Sequence, residues 1–172
     1  NYMSERYNNY LQDIKSINPS IFSNFKLELN NDSSLIVIDM QRDFVPGSLL
    51  QGHVSAFGVE EGQYTVHPIK DLISEIIKIN KSKSFKIPII LTRDYHPHDH
   101  KSFAQNNNGT GFPAHCVQGT PGSDIVHPIV KVVQNENKIE DNVHVVFKGF
   151  HKEIDSFGAS KYTNKNLTRI CP

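Results

Sequence analysis

Leu35-Ile36-Val37-Ile38-Asp39 decides the fold. Four apolar residues without alternation, closed by a carboxylate, read as a strand buried on both faces of a parallel sheet, with Asp39 at its carboxyl end. Downstream, Ile69, Leu72, Ile73, Ile76 and Ile77 recur at helical spacing between residues 68 and 81, and residues 87–92 read as a second buried strand. Ile125, Val126, Ile129, Val130 and Val133 repeat the helical stripe over residues 123–134, and residues 143–147 give a third strand. Strand, helix, strand, helix, strand predicts an α/β fold: a doubly wound parallel sheet with helices on both faces and right-handed crossovers. In such sheets ligands sit outside the carboxyl ends of the strands, which directs attention to Asp39, to Asp94 with His96, and to Lys148.

The remaining composition narrows the partner. The chain has 172 residues, with 18 Lys and Arg balancing 18 Asp and Glu, so it lacks the positive charge of a dedicated nucleic-acid binder. A small or neutral ligand is expected. No apolar run approaches the ~20 residues of a membrane span, and no signal-peptide pattern is visible. Two cysteines, Cys116 and Cys171, cannot build a disulfide framework, which favours a reducing compartment. The expected localisation is cytoplasmic, with the nucleus as the alternative. Residues 1–33 read as an N-terminal extension with an amphipathic helix from about Ser4 to Ile17, on which Tyr7, Tyr10, Leu11 and Ile14 share a face; residues 34–172 read as the domain.

Residues 92–100, TRDYHPHDH, are the densest polar cluster. Residues two apart in extended backbone point to the same side, so Asp94 and His96 can converge on one cation. A third ligand has to come from elsewhere, and His115, in the loop Phe112-Pro113-Ala114-His115-Cys116-Val117, is the candidate. Two imidazoles and a carboxylate suit zinc, iron or manganese with open positions for water or substrate. The competing reading makes these histidines surface residues or strand-end hydrogen bonders. His100 reads either as an additional ligand or as a residue orienting Asp94 or His96. His98 is assigned to solvent, and His53, His67, His127, His144 and His151, which lack ligand spacing, to surface or turn positions. Asp39 either caps the following turn or works as a general base, and Lys148 gains interest only if it lies near Asp39.

Taken in order, Leu35–Phe44 (LIVIDMQRDF), Thr92–Phe103 (TRDYHPHDHKSF), Phe112–Val117 (FPAHCV) and Val146–Phe150 (VFKGF) resemble the successive motifs of the nicotinamidases, within the isochorismatase-like cysteine hydrolases. The resemblance implies that Asp39 is the catalytic acid/base and Lys148 its partner in a Cys-Asp-Lys triad. It implies that Asp94, His96 and His115 bind a metal, most often zinc, whose open position takes the pyridine nitrogen of nicotinamide. Phe44 and Phe112 then stand as aromatic walls around the ring. The implied reaction is attack of a cysteine thiolate on the carboxamide, loss of ammonia and hydrolysis of the thioester to nicotinate, a step of NAD salvage. The resemblance also implies a homo-oligomer. A non-catalytic protein of the same fold, binding metal or a pyridine ligand, is the alternative.

One element of the pattern is missing. The nucleophile is expected at the end of a further strand after another helix, a unit of roughly 30 or more residues. Cys171 stands only 23 positions after Lys148, and the residues before it, KYTNKNLTR, are polar. Cys116 reads as a small buried thiol beside a ligand. The sequence therefore predicts a chain truncated after Lys148, with its last strands and its nucleophile absent; a degenerate relative is the other reading.

Overall fold

The computed structural model describes residues 5–17, 28–47, 52–135, 142–156 and 158. Among the described residues there are three strands, β1 (Leu35–Val37), β2 (Ile89–Asp94) and β3 (Val143–Lys148), and three α-helices, α1 (Glu5–Ile17), α2 (Val66–Ser82) and α3 (His127–Asn135). The strands lie in the order β1-β2-β3 and all pairings are parallel, with Leu35 opposite Ile89 and Ile89 opposite Val143. α2 forms the crossover from β1 to β2, and α3 that from β2 to β3. This is the α/β architecture with a parallel sheet that the order of apolar segments predicts.

The core lies between one sheet face and the two crossover helices. Val37, Ile89 and Leu91 pack against Ile73, Ile76 and Ile77 of α2 and Ile129 of α3, all of them buried. Each such aliphatic side chain contributes about 1.5–3 kcal/mol of transfer free energy. The reading of residues 35–38 as buried on both sides holds for alternate positions only. Ile36 is 54% and Ile38 66% exposed, because both crossover helices turn their apolar stripes to the face that carries Val37 and Leu91.

Two boundaries differ from the periodicity in ways that bear on the site. β2 begins at Ile89, because the N–H and C=O of Ile87 are bonded by the buried side chain of Asn80 in α2. It runs through Asp94, which faces Lys148 in the parallel register. α3 begins at His127 rather than near residue 123: Ile125 bridges to Gln41, and the Val126 N–H donates to the carbonyl of Met40. Those contacts hold residues 124–126 extended across the segment that follows β1.

Candidate active site

Alternation along β2 and β3 turns Thr92, Asp94 and Lys148 away from the core face, toward one corner at the carboxyl ends of the strands. Asp39 joins them just beyond β1. Its backbone is left-handed (φ 51°), its N–H donates to Thr92 Oγ1, and the same hydroxyl donates to Asp39 Oδ1 at 2.7 Å. Lys148 Nζ lies between two carboxylates, 2.8 Å from Asp39 Oδ2 and 2.6 Å from Asp94 Oδ1. Burial alone would lower the lysine pKa, but the hydrogen bonds to Asp39 and Asp94 outweigh it and hold the pKa above its ordinary value. Burial likewise tends to raise the Asp94 pKa; the neighbouring His96 ring and the Lys148 ammonium reverse this and the carboxyl sits below its usual range. Asp94 is therefore an anion at neutral pH.

Asp94, His96 and His115 offer ligand atoms that all lie within 4.8 Å of one another, and all three residues are buried. The hydrogen bonds around them decide which atoms are offered. His96 Nδ1 lies 2.9 Å from the carbonyl of Gly149, and His115 Nδ1 lies 2.7 Å from the carbonyl of Pro113. A carbonyl only accepts, so each Nδ1 carries the proton and each Nε2 presents a lone pair. Burial keeps the pKa of His115 below its ordinary value, which favours the neutral, ligating form. Two oriented imidazoles and an anionic carboxylate form a donor set that fits zinc, and equally iron or manganese. Lys148 holds Asp94 Oδ1, while Oδ2 faces His96 Nε2 at 3.7 Å.

His96 reaches this position because residue 149 is glycine. Gly149 has φ +65°, and a Cβ there would run into the His96 ring, with Nδ1 at 2.7 Å. Gly149→Ala is expected to push the imidazole off the carbonyl that orients it and to weaken zinc binding at least tenfold. Competition against a chromophoric chelator measures this, and unchanged affinity would refute the close-approach account.

His100 packs on His96 with ring centroids 4.4 Å apart and the rings tilted by 46°. Its Nε2–H donates to the carbonyl of Ile154, and its Nδ1 pairs with the Ser102 hydroxyl at 2.7 Å. Both ring nitrogens are thus engaged, and His100 packs against His96 outside the group formed by Asp94, His96 and His115.

A cavity of about 240 Å³ opens over these groups, lined by Asp39, Asp94, His96, His115 and Lys148 and walled by Phe44, Phe57 and Phe112. Phe57 is absent from the sequence reading, although its ring lies 5.0 Å from that of His115 and 5.6 Å from that of Phe112. It lies in a polar stretch without periodicity, and no pattern marked it. Gln41 was also missed. Fully buried, it donates to the carbonyls of Asp94 and Ser123 and accepts from the Asp94 N–H, fixing the end of β2. His53, read as a surface or turn residue, instead bonds the buried Asp43 at 2.7 Å.

Cys116 is fully buried with φ 47°, and burial, reinforced by the charges of Asp94, Asp43 and Asp39, pushes its thiol pKa strongly up. It is unsuited to attack, because the thiolate is the nucleophile. Cys171 lies outside the described residues.

The sequence matches the isochorismatase domain over residues 33–152, and the chain belongs to that family. A nicotinamidase of Acinetobacter baylyi is 29% identical to it over 148 residues, covering 78% of this chain and 58% of that protein. A nicotinamidase of Saccharomyces cerevisiae is 28% identical, covering 73% of this chain and 61% of that protein. The crystal structure of the yeast nicotinamidase bound to the inhibitor nicotinaldehyde superposes with a TM-score of 0.60 at 27% identity, covering 75% of this chain and 62% of that one. The chain spans about three-fifths of the length of these relatives. Among the described residues, no helix is long and apolar enough to cross a membrane.

Proposed function

We propose that the protein is a nicotinamidase-type amidohydrolase that converts nicotinamide and water to nicotinate and ammonia in NAD salvage. The observation that carries this reading is one cavity in which the Asp94, His96 and His115 donor set adjoins the Asp39–Lys148 pair under aromatic walls. The similarity to nicotinamidases from a bacterium and a yeast supports it. Asp94, His96 and His115 would hold a divalent cation, zinc in the first place, and when bound it offers an open position to the pyridine nitrogen.

The chain's own residues do the rest. Phe44 and Phe112 line the cavity with apolar rings that suit a flat aromatic substrate and exclude water. Thr92 and Lys148 hold the two oxygens of Asp39, leaving lone pairs toward the cavity, so the carboxylate can take the proton of the attacking group and return it to departing ammonia. The attacking atom in this reading is a cysteine sulfur, and among the described residues Cys116 does not qualify.

The test is ammonia release from nicotinamide by the zinc-loaded full-length natural product, followed by a coupled dehydrogenase assay, beside Asp39→Asn. Turnover that the substitution reduces at least a hundredfold supports the assignment. Zinc-loaded protein that releases no ammonia and binds no nicotinate overturns it. Stoichiometric nicotinate binding without turnover points instead to a non-catalytic pyridine binder.

A further inference from the structure

Beside the cavity lies a buried carboxylate for which the proposed chemistry has no use. Asp43 Oδ1 accepts from His53 Nε2 at 2.7 Å and from the Ala56 N–H at 3.1 Å, and Oδ2 accepts from the Cys116 N–H at 2.7 Å. Its main chain is engaged as well: the Asp43 N–H donates to the Gly122 carbonyl, and the Phe57 N–H donates to the Asp43 carbonyl. Gly122 packs so closely that a Cβ there would collide with the carboxylate. Three separate segments thus converge on one side chain, and two of them carry cavity groups. The segment from His53 to Phe57 brings the Phe57 ring, and the bond to Cys116 fixes the residue next to His115. Cys116 has a left-handed backbone (φ 47°), a conformation that needs such an outside hold.

We propose that Asp43 is a positioning residue that sets, through one carboxylate, both the ligand loop at His115 and a third aromatic wall, Phe57, with His53 as its partner donor. The Phe57 half rests on the proposed function, since it concerns a heteroaromatic ring in the cavity. The His115 half requires only that the donor set binds a metal. A carboxylate has two acceptor oxygens, enough for three N–H donors. An amide has one oxygen, so Asn at position 43 has to turn its NH₂ against either the Cys116 N–H or the pair formed by His53 and Ala56.

The test compares zinc affinity, by chelator competition, with nicotinate affinity, by calorimetry on zinc-loaded protein, and uses thermal melting to confirm folding. Asp43→Asn is expected to weaken both at least tenfold. Phe57→Ala is expected to weaken nicotinate about tenfold and leave zinc within twofold. His53→Ala should weaken both about threefold, and His53→Gln, which keeps an N–H donor, should restore them. If Asp43→Asn folds and binds zinc within twofold of the parent, the clamp on His115 is refuted; should it fail to fold, unchanged zinc affinity in His53→Ala refutes it. Nicotinate binding unaffected by Phe57→Ala refutes the third wall. A parent protein that binds zinc but no nicotinate overturns the pyridine reading together with the Phe57 half, while the zinc measurements still decide the His115 half.

Discussion

Lys148→Met is expected to lower the unfolding free energy by about 3–5 kcal/mol at pH 7, the cost of removing one partner from a buried ionic cluster. The lysine is buried and separates two carboxylates that the parallel register and the end of β1 bring to one point. Without it Asp94 and Asp39 face each other as like charges, and Asp94 has little access to water. Asp39 is somewhat more exposed, which places the cost in the lower half of that range. For a chain of this length each kcal/mol corresponds to about 2–4 °C in Tm, so the loss is measurable by calorimetry or by chemical denaturation.

The pH dependence carries a sign that a packing defect would not. The folded pKa of Asp94 lies below its unfolded value, so its contribution is fully present above about pH 4 and fades as pH falls through the folded value. The folded pKa of Lys148 lies above its unfolded value, so its contribution is fully present below about pH 10.4 and is lost as pH rises through the folded value. The gap between parent and variant should form a plateau between those limits and close in acid. A gap that persists unchanged at pH 3, or one below about 1 kcal/mol at pH 7, would refute the ionic account.

That cluster also shows what a single sequence can carry. Apolar runs located β1, β2 and β3, and a parallel sheet then places the residues at their carboxyl ends together whatever the loops do. Asp39, Asp94 and Lys148 were legible for that reason. His115 was legible by residue type and by its motif. Gln41, Asp43, Phe57 and Gly149 were not singled out, because their roles lie in contacts across 53 or more positions or in a loop without period. Gln41 reaches the backbone of Asp94, Asp43 reaches the N–H of Cys116, and Gly149 makes room for His96. No local pattern encodes such meetings. The start of α3 failed for a related reason: Ile125 and Val126 fit a helical stripe, yet their backbone groups find partners at Gln41 and Met40.

Zinc should stabilise the parent protein by about 4 kcal/mol when free metal is held at a thousand times its dissociation constant, and should leave His96→Ala unaffected under the same conditions. The donor set is assembled before metal arrives: carbonyls of Gly149 and Pro113 fix both imidazoles, and Lys148 leaves Asp94 Oδ2 directed at His96. Ligands held in place lose little freedom on binding, so a rise in Tm should appear with one equivalent of zinc rather than a large excess. Asp94→Ala should abolish the rise as well, with the further cost of leaving Lys148 only Asp39 as a partner, which separates it from His96→Ala in metal-free melting. His115 adds no proton competition until pH falls well below about 6.5, because burial already lowers its pKa. A zinc-induced shift of equal size in the parent and both variants would mean that the metal binds elsewhere on the protein.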